Sequence, residues 1–343
     1  MKIKTLLMLS VLLGGMLSSC SNDDDEGKDK PEVAKVILDA DIPSSTDDLF
    51  SLQMLYRYAD EGKCQLLGVV VDREDKAGAE VTDIMNTYYG YGDVPIALVK
   101  EGIDEPQVWI DYSPLATHTK ADGTPMFRRT LASYDNLPDG WQLYRRLLAA
   151  EPDHSVSICS VGFLTALAQL LQSEGDEHSP LNGIELVRRK VKAIYVMGGV
   201  FSDAIKPDFN FGQGITFAQS FFNLWPSDVP IYFSAGEVGD AIEYAPEQAM
   251  ADLAWDTNHP IRQVYEHYDC NTGQKMWDPL TVIHAVEGND LFTLSQPGIV
   301  TLTPQAETIF TADPNGNSRY QIPGTAEWNE MMLEKIRKSG ERF

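Results

Sequence analysis

The chain has 343 residues, 43% hydrophobic and 23% charged, with 51 acidic side chains against 27 basic and a formal charge of −24. That composition supports a globular fold with a sizeable core, in one large α/β domain or two smaller ones. The acidic balance, with no basic patch interleaved with aromatics, excludes nucleic acid as a partner.

The first stretch, MKIKTLLMLSVLLGGMLSSC, sets Lys2 and Lys4 before an apolar run over 6–13 that is too short to span a bilayer. It predicts a secretory leader over residues 1–19. Its end, Leu17-Ser18-Ser19-Cys20, resembles the lipobox of bacterial lipoproteins. That resemblance implies lipidation of Cys20 and a membrane anchor at the cell envelope, on the outer membrane. Residues 20–33 are an acidic, flexible tether. The run Asp23, Asp24, Asp25, Glu26 is either a plain linker or similar to the export signals of surface-exposed lipoproteins.

Residues 34–343 read as a single domain of short apolar runs alternating with helical patterns. The pattern predicts strands over 35–41, 66–71, 95–99, 156–161, 191–197 and 229–233. It predicts helices over 47–59, 79–91, 141–150, 164–172, 216–224 and 278–286. Continuous apolar strands alternating with helices mean an open, mostly parallel, Rossmann-like α/β sheet with helices on both faces. Residues 104–139 are irregular and rich in Pro, Gly and Thr, a long loop of the kind that carries function. Cys64 and Cys159 lie beside or within apolar strands, as buried thiols rather than a disulfide framework.

In such sheets ligands bind outside the carboxyl ends of the strands. There the chain reads VILDADIPSSTDDLFSL, residues 36–52, with Asp39, Asp41, Asp47 and Asp48 inside ten positions. Repulsion makes that density costly unless a cation or a proton offsets it. One or two acids at a helix start would be a cap and a dipole partner, with Thr46 or Asp47 as the cap. Four carboxylates suit a hard cation such as calcium, which takes six to eight oxygens at roughly 2.3–2.6 Å. Asp72-Arg73-Glu74-Asp75, after the second strand, is expected to be a solvated loop with Asp72 as its one candidate ligand.

DADIPSSTDDLFSL resembles the DxDIGxDxDDAxAL signature of the inosine-uridine preferring nucleoside hydrolases. Further segments resemble the family's in its order: GFLTALAQLL at 162–171, VKAIYVMGG at 191–199, PDFNFGQGITFAQSFFNLWP at 207–226 and MWDPLTVIHAV at 276–286. The resemblance implies a nucleoside hydrolase-like fold and a calcium ion held by Asp41, Asp48, Asp278 and the carbonyl of Thr165. It implies Asp41 as the base on the attacking water, Asp47 on a ribose hydroxyl, and Asn210 and Asp208 beside the sugar. His118, in a loop loosely similar to the family's HGxxG, and Trp277 are candidates for facing the sugar or base. The implied reaction is hydrolysis of the N-glycosidic bond of a small nucleoside or related N-riboside, with a homo-oligomer left open.

The departures fall on the ribose and leaving-group positions. Pro43 stands for the family's Gly, Ser45 for Asp, Ala166 for Asn, Ser202 for Asn, and Trp277 for the His before DPL. Two rival functions follow. One is a surface lipoprotein that binds a sugar-like ligand through the calcium site without turnover. The other is a haloacid-dehalogenase-like phosphatase, since Asp39-Ala40-Asp41 also reads as a strand-end DxD with Asp39 as nucleophile. That rival lacks a downstream Lys followed by an acidic pair.

Overall fold

The computed structural model describes residues 32–103, 106–202, 204–268, 270 and 273–342. The predicted leader, Cys20 and the predicted tether through residue 31 lie outside them. The chain runs β1 (Ala34–Ala40), α1 (Thr46–Asp60), β2 (Cys64–Val71), α2 (Lys76–Tyr88), β3 (Ile96–Leu98), α3 (Gly140–Ala150), β4 (Val156–Ser160) and α4 (Thr165–Gln172). It continues through α5 (Gly183–Lys190), β5 (Val191–Met197), α6 (Phe209–Gln213), α7 (Ile215–Leu224), β6 (Ile231–Ser234), α8 (Gly236–Gly239), β7 (Glu243–Tyr244) and α9 (Pro246–Asp252). It ends with α10 (Pro260–His267), β8 (Gln274–Lys275), α11 (Trp277–Glu287), β9 (Gly298–Leu302), β10 (Thr308–Ala312), β11 (Ser318–Tyr320) and α12 (Ala326–Ser339).

Nine strands form one sheet in the order β10-β9-β11-β6-β5-β4-β1-β2-β3. All neighbours from β11 to β3 are parallel, while β9 runs against both β11 and β10. The predicted mostly parallel sheet is therefore present, with an antiparallel edge that the apolar pattern does not announce.

Side chains alternate across β1 because a strand's period is two. Val36, Leu38 and Ala40 enter the core shared with α1, α11 and α12, whereas Ile37 enters the core shared with α3, α4, α5 and α7. Each face of the sheet is thus covered by helices, as the continuous apolar strands require. Cys64 and Cys159 are buried free thiols, and Cys270 is buried.

The order of the central strands fixes the site. The chain leaves β1 toward β2 on one side and returns to β4 on the other, so a switch point opens between the carboxyl ends of β1 and β4. Gly162, just past β4, lets these ends approach. A Cβ there would sit 2.6 Å from the Asp41 nitrogen and 2.7 Å from an Asp72 carboxylate oxygen. Residues 106–139 cross this rim as the expected loop, with one short 3₁₀ turn at Ser113–Thr117. Asp83 of α2 ties the loop down by accepting from the Thr130 and Leu131 amides and from the Tyr134 hydroxyl at 2.6–3.1 Å.

Candidate functional site

Two helix starts converge over the switch point. α1 places Asp47 and Asp48 in its first turn, α11 places Asp278 in its first turn, and the two helices pack together. Acids belong at a helix N-terminus, where the dipole is positive. Here all three are buried, and one carboxylate oxygen from each lies within 4.8 Å of the others. At that spacing and an effective dielectric constant near 20, each ionised pair repels by roughly 3 kcal/mol. Three such pairs approach the whole stability of a typical domain, about 5–15 kcal/mol. The arrangement persists only with protons or a cation among the oxygens.

The side chains around the trio do not supply that cation. Asp47 accepts from the Ser45 hydroxyl, in the position where the longer motif has an acid, and from the Asp278 amide at 3.4 Å. Both oxygens of Asp48 are buried and without any hydrogen-bond partner. Orphaned carboxylate oxygens facing two further carboxylates fit a divalent cation with oxygen preference, and no nitrogen or sulfur ligand joins them. Burial, with the charges of Asp41 and Asp47, holds Asp48 well above the usual carboxylate range. Burial also raises Asp278, beside Asp47 and Asp48, and pushes Asp47 up to about 6. A bound dication would reverse that push.

Asp41 stands apart from the trio. Its Oδ2 accepts from the Arg73 guanidinium at 2.8 Å and its carbonyl from Arg73 Nε at 2.6 Å. Burial raises its pKa and the Arg73 charge opposes the rise. This corrects one expectation. The 72–75 loop is not solvated at its start, since Asp72 and Arg73 are buried and only Glu74 and Asp75 are exposed. The geometric trio contains Asp47, while the Asp41 carboxylate pairs with Arg73 and is near enough for its charge to raise Asp48.

Asp39 points to the other face of β1, where Oδ2 accepts from the Tyr144 hydroxyl at 2.7 Å. Burial pushes it up to about 6, and burial plus the neighbouring Asp39 charge holds Asp72 well above the usual range. Asp39 is fully buried and does not line the cavity, which leaves the phosphatase rival without an accessible nucleophile.

A cavity of about 190 Å³ opens beside the trio. Asp41, Ser44, Ser45 and Asp47 line it from the β1–α1 turn, and Trp277 and Asp278 from α11. Val161 and Met197 close it at the ends of β4 and β5, with Asp208, Phe209 and Asn210 at the start of α6. Trp109 enters from the long loop, its ring 5.3 Å from that of Phe209. Asn210 donates through Nδ2 to the carbonyls of Val161 and Met197, at 3.0 and 3.3 Å, which leaves Oδ1 as an acceptor. Asp208 caps α6, accepting from the Phe211 amide at 2.9 Å and the Gly199 amide at 2.8 Å. Gly199, at φ 85°, holds the left-handed turn that aims this amide. Burial pushes Asp208 up to about 6 despite these donors.

The structure thus brings Asp41, Asp47, Asp208, Asn210, Trp277 and Asp278 to one cavity. Thr165 is buried at the first position of α4, and Asp48 lies behind the lining with the trio. His118 is not among the lining residues. Its Nε2 pairs with the Tyr268 hydroxyl at 2.8 Å, and its ring stacks on Tyr268. Sequence reasoning missed Arg73 and Trp109. A lone cation inside an acidic strand-end run and a tryptophan in a polar loop are the signals that could have marked them.

The comparisons agree with this architecture. The family model described as inosine-uridine preferring nucleoside hydrolase matches residues 36–329. Among solved structures, a plant nucleoside hydrolase superposes with TM-score 0.66 at 14% identity, covering 90% of this chain and 99% of its own. An inosine-uridine preferring nucleoside hydrolase from Bacillus anthracis gives 0.64 at 15%, covering 90% and 100%. The type III effector XopQ, solved with adenosine diphosphate ribose, gives 0.64 at 17%, covering 91% and 95%. No curated protein matches the chain in sequence. With a family model spanning most of its length and this fold beneath it, the chain belongs to the inosine-uridine preferring nucleoside hydrolase family.

Proposed function

We propose that this enzyme is a calcium-dependent hydrolase that splits the N-glycosidic bond of a ribonucleoside or related N-riboside into sugar and free base. The observation that carries the reading is one cavity lined by Asp41, Asp47 and Asp278 together with the aromatic rings of Trp109, Phe209 and Trp277. Asp48 and Asp278, with Asp47 or Asp41, would hold the ion, which when bound supplies Lewis-acid activation of an attacking water. Asp41 takes the water's proton at Oδ1, since Arg73 holds Oδ2. Asp47 and the free Oδ1 of Asn210 accept hydroxyls of the sugar, and the buried carboxylates stabilise its oxocarbenium-like transition state.

The leaving base gets less help. The described residues lining the cavity include no His, Tyr, Lys, Arg or Cys. Asp208, though pushed up to about 6, has both carboxylate oxygens accepting from the Phe211 and Gly199 amides. Trp277 already gives its Nε1–H to Asp240 at 3.0 Å. General-acid assistance is typically worth ~10²–10⁴-fold. Nitrophenyl riboside, whose leaving group needs no proton, should therefore be cleaved ~100-fold or more faster than inosine. Equal rates on the two would refute the leaving-group argument. Should no glycoside be cleaved while calorimetry detects a bound sugar, the calcium-site binder becomes the better reading.

Calcium and protons compete for the same oxygens. Asp47, with a folded pKa of about 6 against an ordinary 3.8, stabilises the metal-free chain at low pH, and that stabilisation fades as pH rises through 6. The rise in melting temperature on adding calcium should thus be nearly absent at pH 4.5 and full above pH 7. A calcium shift of the same size at both values would contradict the assignment.

We also propose that Cys20 carries lipid and holds the protein at the cell envelope, on the outer membrane. The support is the leader and its LSSC end. No helix among the described residues is long and apolar enough to cross a membrane. Cys20→Ala should move the protein from the membrane to the soluble fraction, and its retention on membranes would end the proposal.

A further inference from the structure

We propose that Arg73 is a positioning residue that ties the Asp41 carboxylate to the loop carrying Trp109, so that the acid and aromatic sides of the cavity are held in one register. The activity part of this inference rests on the hydrolase reading; the structural part does not. Arg73 follows β2, is 4% exposed and does not itself line the cavity. Its fork reaches two segments that are distant in sequence. On one side it donates to the Asp41 carbonyl and Oδ2 at 2.6 and 2.8 Å. On the other, Nη1 donates to the Pro106 carbonyl at 3.2 Å and Nη2 to the Gln107 carbonyl at 2.7 Å. The Phe163 ring covers the guanidinium, with its centre 5.2 Å from the central carbon.

Trp109 lies two residues beyond that grip. It is 67% exposed, so core packing does not place it and its position depends on backbone anchors. The other anchors are bonds from the Trp109 and Ile110 amides to Ser44, at 3.3 and 2.8 Å, and from the Gln107 amide to Gln213 at 2.8 Å. Ser44 belongs to the same β1–α1 turn as Asp41, so Arg73 and Ser44 clamp one loop onto one turn. A planar fork with several fixed donors meets four acceptors at once, whereas a lysine ammonium would bring the charge without that geometry.

The test compares the wild type with Arg73→Lys, which keeps the charge and loses the fork. Hydrogen exchange followed by mass spectrometry should show amides of 107–112 exchanging at least ~10-fold faster in Arg73→Lys, with the rest of the sheet unchanged. With nitrophenyl riboside, kcat/KM should fall ~100-fold, mostly in kcat, because the water and the aglycone lose register. Adding Trp109→Ala in the Arg73→Lys background should cost less than about a third of what it costs in the wild type. Unchanged loop exchange and unchanged kcat/KM in Arg73→Lys would overturn the proposal, since charge alone would then suffice. Exchange rising equally across the whole chain would overturn it as well, pointing to a role in general stability. If the wild type cleaves no glycoside, the hydrolase reading fails, and loop exchange alone decides the role of Arg73. If Arg73→Lys does not fold, nitrogen-15 arginine spectra of the wild type decide it. A slowly exchanging Nε–H with a frozen guanidinium supports the clamp, and a freely rotating guanidinium removes it.

Discussion

Asp41→Asn should lower kcat by at least ~10³-fold while calcium still binds and the chain remains folded. The reason lies in the two faces of this carboxylate. Oδ2 is held by Arg73, so the proton of the attacking water has only Oδ1 to go to, and an amide oxygen cannot take it. The amide can still accept the Arg73 hydrogen bond, so the clamp keeps most of its geometry. Removing the charge does leave the buried guanidinium short of its ion-pair partner. Breaking such a pair costs about 3 kcal/mol or more, so the melting temperature should fall by several degrees. Circular dichroism and a calcium titration separate these effects. Full turnover in a folded Asp41→Asn protein would remove Asp41 from the role of base. Loss of calcium binding together with activity would instead place it among the metal ligands.

The parallel core is readable in the sequence because β1, β2, β4 and β5 are almost wholly buried and hence almost wholly apolar. The antiparallel edge is not. In β9 only Gly298 and Val300 are buried, Ile299 and Thr301 face solvent, and β11 is the three residues Ser318–Tyr320. Such short, half-exposed strands form because a neighbour is already in place, which no local pattern records. α5 escapes notice for a related reason: eight residues, GIELVRRK, bury only Gly183, Leu186 and Val187.

The site divides along the same line. Asp41, Asp47 and Asp48 are legible because their crowding within one turn is itself the anomaly. Asp278 is legible only through resemblance, since one acid opening a helix is ordinary. The partnership of Arg73 is not legible at all. Its acceptors lie 32 to 34 residues away in sequence, and the run DRED reads as surface until the loop at 106–107 is folded over it. His118 misleads in the opposite sense. A histidine in a functional loop suggests an acid for the leaving group, but Tyr268 and His267 hold it among themselves.

Asp48→Asn should weaken calcium binding by ~100-fold or more and abolish the calcium-dependent rise in melting temperature at pH 7.5. Asp48 is the sharpest probe because both its oxygens are buried and unpartnered, so apart from the attraction of the nearby Arg73 charge only the ion is lost when its charge goes. The same change should make the metal-free chain more stable than the metal-free wild type at neutral pH. Burial and the charges of Asp41 and Asp47 oppose ionisation of Asp48, and an amide of equal size escapes that opposition. A purely structural carboxylate would behave in reverse, with its amide destabilising the chain at every calcium concentration. The neighbours then sort the ligands. If the ion sits in the geometric trio, Asp47→Asn and Asp278→Asn weaken it as strongly as Asp48→Asn does, and Asp41→Asn leaves it nearly intact. If Asp41→Asn weakens calcium as much as Asp48→Asn while Asp47→Asn does not, the ion sits on the Arg73 side, and Asp47 is left for the sugar.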